Sequence, residues 1–407
     1  MASLSVVRYV NGKLARERVT VLGEGFVELP NSIIALPGFV DMHVHLRGWE
    51  QSYKEDLESG SRAALAGGVV GVGDMPNTSP QIRNSEIAAK RLVEGRSLPI
   101  AYRLHGGVPS YSDELAKYVG LGIKTVKVYP EDLARLDDLA STAASLGIMF
   151  VVHCEDPNMF RSVDGSDSSI HNLARPLDAE LSCFLRVARA SLMHGVRIHV
   201  THVSNPLVIK LANELRHLGL STDVTMHHAL LDYEECGRAV GDPFYCKVNP
   251  PLRPHHQRIE LLRLLIEGKI DMVASDHAPH SFNEKYGRNY QDTAPGFPGL
   301  ETTSLLLIDL WRRGLMELQQ IVLLYSTRPA SLLGIDLTNS LALIDTKAIT
   351  EIDPSKFQSK ARHSPFAGRS VMGRIVGTIV NGRLLIVDQE YEGRFGPLIG
   401  DYTMVKP

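Results

Sequence analysis

The residues best equipped for chemistry interrupt a short apolar run, Pro37-Gly38-Phe39-Val40-Asp41-Met42-His43-Val44-His45-Leu46-Arg47. A strand puts alternate side chains on one face, so Asp41, His43 and His45 are expected to point the same way. Two imidazoles in His-x-His spacing can reach one divalent ion without bending the backbone, and a carboxylate suits the same ion. Arg47 follows two residues later, with a planar permanent charge suited to gripping a carboxylate. The competing reading is a pair of hydrogen-bonded histidines near a turn. Further ligands must therefore come from elsewhere in the chain.

Short apolar strand candidates near 40–45, 69–75, 100–104, 125–129, 148–153, 196–202, 222–227 and 270–274 alternate with longer helical stretches such as 53–66 and 178–194. Eight strands with helical crossovers match a closed parallel barrel better than the alternative, an open doubly wound sheet. Barrel sites form at the carboxyl ends of strands. Polar residues follow those ends: His43 and His45, then Asn77, His105, Lys124 and Lys127, His153, His199 and His202, His227 and His228, and Asp276 with His280. This distribution points to a metal-dependent hydrolase.

Each candidate also has an ordinary structural reading. His153 ends a nearly continuous apolar strand and could be a satisfied core histidine. His199 and His202 should face opposite sides of a regular strand; His202, nearer the carboxyl end, is the preferred ligand. A desolvated, neutral Lys127 could take up carbon dioxide as a carbamate able to bridge two metals, with Lys124 competing and a surface ion pair as the usual fate of either. Asp276 could bind a metal and exchange a proton with its water, or cap a turn. Asn77 and Asn249 lie beside prolines and suggest substrate contacts, although 247–253 could be a turn alone. His280 could face the substrate or close its loop. The loop containing Pro298 and Gly299 could offer backbone groups to an amide ring, or simply connect strand to helix.

The 407 residues predict one large domain and a smaller one. Strand-like segments at 5–10, 18–22, 371–380 and 384–387, with Asn11-Gly12 and Asn381-Gly382 turns, suggest that both chain ends build the smaller unit. The expected fold is α/β: a TIM-type (β/α)8 barrel over 37–345, with a β-sandwich formed by 1–36 and 346–407. An apolar fraction of 44% and a formal charge of -3 argue against a nucleic-acid partner. No run approaches the ~18 apolar residues of a membrane span. Cys154, Cys183, Cys236 and Cys246 form no C-x-x-C pair, and the first residues lack a secretory pattern, so reduced thiols and a cytoplasmic location are expected.

Taken together, the chain resembles the dihydroorotases, within the metal-dependent cyclic amidohydrolases. The resemblance runs through Asp41 to Arg47, Tyr53 to Gly60, Met75-Pro76-Asn77-Thr78, the asparagine-proline loop, Ser275-Asp276-His277-Ala278-Pro279-His280, Gly296 to Thr302 and Ser364 to Gly368. It implies zinc, as two ions bridged by a carboxylated Lys127 and held by His43, His45, His153, His202 and Asp276. It also implies that Arg47, Asn77, Asn249 and His280 hold dihydroorotate or carbamoyl-aspartate, with Asp276 as acid and base. Arg47 and the Met75 to Thr78 loop favour this group over hydantoinases and allantoinases, whose substrates lack the carboxylate. The family commonly continues past the arginine with an acid, proline and glycine; here Gly48-Trp49-Glu50 stands instead. Implied partners are a small-molecule substrate and either further copies of the chain or an aspartate carbamoyltransferase. The rival from another class is a catalytically silent partner of a pathway enzyme.

Overall fold

Aliphatic and β-branched runs with little polar interruption become strands covered on both faces, as parallel sheets require. In the computed structural model, which describes residues 1–165, 167–395, 398 and 403–405, eight such strands surround one axis. They are Phe39–Val44, Val69–Asp74, Ala101–Leu104, Thr125–Val128, Met149–His153, Ile198–Thr201, Leu220–Val224 and Met272–Val273. Successive strands pair in parallel, with the short Gly106–Gly107 segment making the link to Thr125–Val128. A parallel bridge between Val44 and His277, with the His45 N–H donating to the His277 carbonyl at 2.8 Å, joins the last strand to the first. The expected barrel is therefore closed.

Helices fill the crossovers. The stretch expected to be helical from 53 starts its helix only at Leu57, because Trp49–Gln51 forms a separate 3-10 turn and Asp56 caps the helix in a reciprocal box with Ser59. Leu177–His194 ends at Gly195, whose left-handed backbone suits glycine. The strand expected over 222–227 stops at Val224, where Thr225 caps the short helix Met226–Leu230. His227 and His228 consequently lie on a helix.

The two chain ends join in a separate curled sheet, in the order Thr403–Val405, Arg383–Asp388, Ser370–Val380, Leu341–Glu351, Ile33–Pro37, Ala2–Val10 and Lys13–Val21. It has its own apolar core, including Leu4, Val6, Leu343 and Val376 of the sheet and Phe395 at the end of the short helix Glu392–Phe395. Asn11-Gly12 and Asn381-Gly382 make its hairpin turns with positive φ. The sheet docks on the barrel partly through Thr378, whose hydroxyl donates to the Leu65 carbonyl at 2.7 Å.

The cysteines correct one expectation. Cys154 is joined to Cys183 and Cys236 to Cys246, rather than remaining as reduced thiols. Their separations of 29 and 10 residues carry no local signature; Cys154, just past a strand, meets Cys183 on the helix Leu177–His194, and Cys236 on a helix meets Cys246 in the turn that follows it. Among the described residues, no helix is long and apolar enough to cross a membrane.

Candidate functional site

At the carboxyl-terminal mouth of the barrel, a cavity of about 430 Å³ is lined by His43, His45, Lys127, His153, His202 and Asp276. The first strand supplies His43, and His45 follows it directly. Asp276 comes from the loop after the last strand. Their ligand atoms converge: Asp276 Oδ1 lies 3.2 Å from His43 Nε2 and 3.1 Å from His45 Nε2.

Hydrogen-bond polarity tells what that convergence can hold. The Thr201 hydroxyl gives its single proton to Asp223 at 2.8 Å, so at 2.6 Å it must accept from His43 Nδ1. Asn77 Oδ1 likewise accepts from His45 Nδ1 at 2.6 Å. Both Nε2 atoms are then unprotonated, and both face a carboxylate oxygen. Burial draws the pKa of His43 and His45 below the ordinary imidazole value, which keeps them neutral. Three electron-pair donors aimed at one point repel one another unless a cation lies among them, so the donor set fits a divalent metal.

His153 and His202 stand beside this group, with ring centroids 4.5 Å apart and His202 5.1 Å from His43. Glu155 accepts from His153 Nε2 at 2.6 Å, and Arg175 pairs with the same carboxylate at 2.6 Å. Burial lowers His202 as well, and its Nδ1 is buried without a partner. Asp223 accepts from the His202 N–H at 2.6 Å and from His199 Nε2 at 2.7 Å, so His199 does bond within the barrel interior.

The expected pair of zinc ions bridged by a carboxylated Lys127 is overturned. The two groups of potential ligands that converge among the described residues are His43, His45 and Asp276, and Asp232, Glu235 and His255; neither includes a lysine. Lys127 Nζ is buried without a hydrogen bond and lies 5.4 Å from the centre of the Tyr129 ring. Desolvation brings this amine down to about 7, against the opposing pull of Asp276 and Asp223. In the second group Glu235 and His255 are exposed, and the buried Asp232 caps the helix Tyr233–Val240 and already faces Arg258 at 3.5 Å.

Asp41 also departs from its expected place. The strand register is irregular between Asp41 and Val44, so simple alternation fails there. Instead of lining the cavity, Asp41 accepts from the Ser275 N–H at 3.1 Å and the Tyr325 hydroxyl at 2.7 Å, and burial raises it to about 6. It ties the first strand to the last.

Arg47, Asn77, Asn249 and His280 all line the cavity. Asn249 accepts from His171 at 2.9 Å, and His280 Nε2 donates to the Pro295 carbonyl at 3.1 Å. The loop beyond reaches the cavity through Pro295 and Gly296. Pro298 is buried, and Gly299 donates its N–H to His277 at 3.1 Å. A Cβ on Gly299 would meet the Ser275 carbonyl at 2.8 Å, so glycine allows close packing here. Where Gly48-Trp49-Glu50 departs from the family, Gly48 and Trp49 take φ of 79° and 48°, and the indole lies 5.5 Å from the Arg91 guanidinium.

Backbone strain gathers at this mouth. Seven described non-glycine residues have positive φ; three are asparagines, which tolerate it, and the others are Arg47, Trp49, His202 and Asp276. Sequence reasoning had no role for Thr201, Asp223, Tyr129 or Arg175. No local spacing marks them, since each matters only through what it touches.

The amidohydrolase family pattern matches residues 34–385, spanning the barrel and reaching into the curled sheet. The chain belongs to the amidohydrolase family. Within it, this is a metal-dependent cyclic amidohydrolase, with a buried His-His-Asp group in a barrel mouth. A dihydroorotase of Pyrobaculum aerophilum is 38% identical over 391 residues, covering 93% of this chain and 95% of that one. A dihydroorotase of Aeropyrum pernix is 38% identical over 312 residues, covering 75% of this chain and 71% of the relative. Among solved structures, an L-hydantoinase (dihydropyrimidinase) from Arthrobacter aurescens superposes with a TM-score of 0.87 at 22% identity, covering 94% of this chain and 95% of that one. A dihydropyrimidinase from Brevibacillus agri gives 0.80 at 20% identity, covering 94% and 93%. Those two likenesses speak for the fold.

Proposed function

We propose that this amidohydrolase is a dihydroorotase, opening the ring of dihydroorotate to N-carbamoyl-aspartate and closing it in reverse. The observation that carries the reading is Arg47. Its side chain is buried in the cavity wall, and its Nε has no hydrogen-bond partner. Burial lowers its pKa from the ordinary guanidinium value, and a guanidinium keeps its charge in proteins. A permanent buried cation of this kind calls for an anionic ligand, and a substrate carboxylate supplies one. Hydantoin and allantoin offer none. The names of the two relatives above support the same choice.

A divalent ion held by His43, His45 and Asp276 would polarise the ring amide carbonyl and acidify a water. Asp276 takes the proton of the attacking water and returns it to the leaving ring nitrogen. Arg47 holds the carboxylate throughout, so its contribution is orientation and choice of substrate. Thr201 and Asn77 keep the two imidazoles in the tautomer that leaves Nε2 free. Asn249 and His280, which line the same cavity, would contact the rest of the ring.

Metal-replete protein should hydrolyse dihydroorotate and, at lower pH, cyclise carbamoyl-aspartate. Turnover of hydantoin or allantoin with none of dihydroorotate would overturn the assignment. Inactivity on all three would instead favour a silent partner of another enzyme.

A further inference from the structure

The amino-terminal mouth of the barrel holds a larger cleft than the catalytic one, about 970 Å³. Five cations line it: Arg96, Arg103, Lys124, Arg197 and Arg328. No carboxylate does so among the described residues, and none of the five takes part in an ion pair there. Neighbouring arginines behave differently: Arg91 is paired with Asp74 and Arg216 with Asp271, both at 2.8 Å. In a chain of formal charge -3, five unpaired like charges gathered around one cleft set up a local positive field that draws anions.

The cations are held in two ways. Arg103 donates to the Leu333 and Gly334 carbonyls at 3.1 and 2.8 Å, Arg328 to the Asp271 carbonyl at 2.9 Å, and Arg197 to the Gly147 carbonyl at 3.3 Å. Backbone carbonyls thus aim three guanidinium groups without cancelling their charge. Arg96 and Lys124 are exposed, and their side chains donate to no described protein group, which leaves them free to close on a ligand. Ile100, Leu121 and Leu332 supply an apolar wall beside them.

We propose that this cleft binds a small oligophosphate anion, of the chemical class of a nucleotide. Its volume lies in the range of small-molecule sites. Forked guanidinium groups match phosphate oxygens, and several phosphates are needed to balance so many cations. The apolar wall suits a flat base or another apolar body carried by the phosphates. An acidic protein segment is the competing occupant, but a single cleft of small-molecule volume favours the small molecule.

Calorimetric titration of the metal-replete protein with tripolyphosphate and with ATP tests the assignment. Saturable binding is expected with at least one, weakening as salt is added. Binding of both assigns the site to the phosphates alone; binding of ATP only adds the base. The Arg96→Ala, Lys124→Ala double variant removes no contact that holds the fold. It should bind at least about 10-fold more weakly, from the loss of two charge-assisted contacts, while ring-opening turnover stays unchanged. No saturable binding, or undiminished binding by the double variant, overturns the proposal. So does saturable binding of polyglutamate with none of either phosphate compound, which would reassign the cleft to an acidic protein segment.

Discussion

The two mouths of one barrel are both polar, and they differ in how their polar groups are held. At the carboxyl-terminal mouth, burial draws His43, His45, His153 and His202 below the ordinary imidazole value; Thr201, Asn77 and Glu155 orient the first three rings, and Asp223 holds the His202 backbone. The backbone is strained at Arg47, His202 and Asp276. At the amino-terminal mouth, four exposed cations and the half-buried Arg103, on unstrained backbone, surround a wider space. A site that must aim lone pairs within a few tenths of an ångström needs buried supports and can store strain. A site that gathers charge needs only proximity and a shortage of counter-charge.

Asp276→Asn should break the first mouth most severely. With its proton acceptor gone, turnover should fall roughly 10²- to 10⁴-fold, far more than substrate binding weakens. Wild-type turnover in that variant would remove Asp276 from the acid and base role, and with it the contrast between the mouths.

Arg47→Met sharpens the division of labour within the catalytic mouth. Losing a charge-assisted contact of about 1.5–3 kcal/mol should raise KM roughly 10- to 150-fold while metal content is kept. Simultaneous loss of metal would show that Arg47 supports the ligand group rather than the substrate.

Thr201→Val tests whether backing hydrogen bonds matter as argued. His43 Nδ1 would lose its acceptor, and metal affinity should drop roughly 10- to 100-fold. Excess metal should restore turnover; a defect that persists at saturation would point to damage beyond the tautomer.

The last expected effect concerns stability and leaves turnover aside. Folding lowers Lys127 from 10.5 to about 7, so between these values the unfolded chain binds the extra proton. Stability of the metal-free protein contributed by this group therefore rises with pH across that window, and is least below about pH 7. Lys127→Met should flatten the slope and leave the metal-free protein more stable at neutral pH. Denaturant titrations at pH 7 and pH 10 that change equally in both proteins would refute this.

Much of the architecture was legible because local patterns determine it. Continuous β-branched and aromatic runs such as Phe150-Val151-Val152 favour buried strands, and asparagine-glycine pairs favour tight turns. Polar residues at the ends of those runs marked the catalytic mouth, since a barrel brings all eight strand ends together. Period-two alternation failed where tertiary contacts overrode it: the irregular register after Asp41 hands that carboxylate to Ser275 and Tyr325. The same limit applies to Lys127, whose type and position suggested a bridge that the converging ligand groups do not include. The cysteine pairs and the Thr201 to Asp223 relay likewise join residues distant in sequence. By itself the sequence determined which residues are available and at which end of the barrel they emerge. Only the tertiary structure decided which of them meet, because hydrogen-bond direction and lone-pair convergence belong to side chains from different strands.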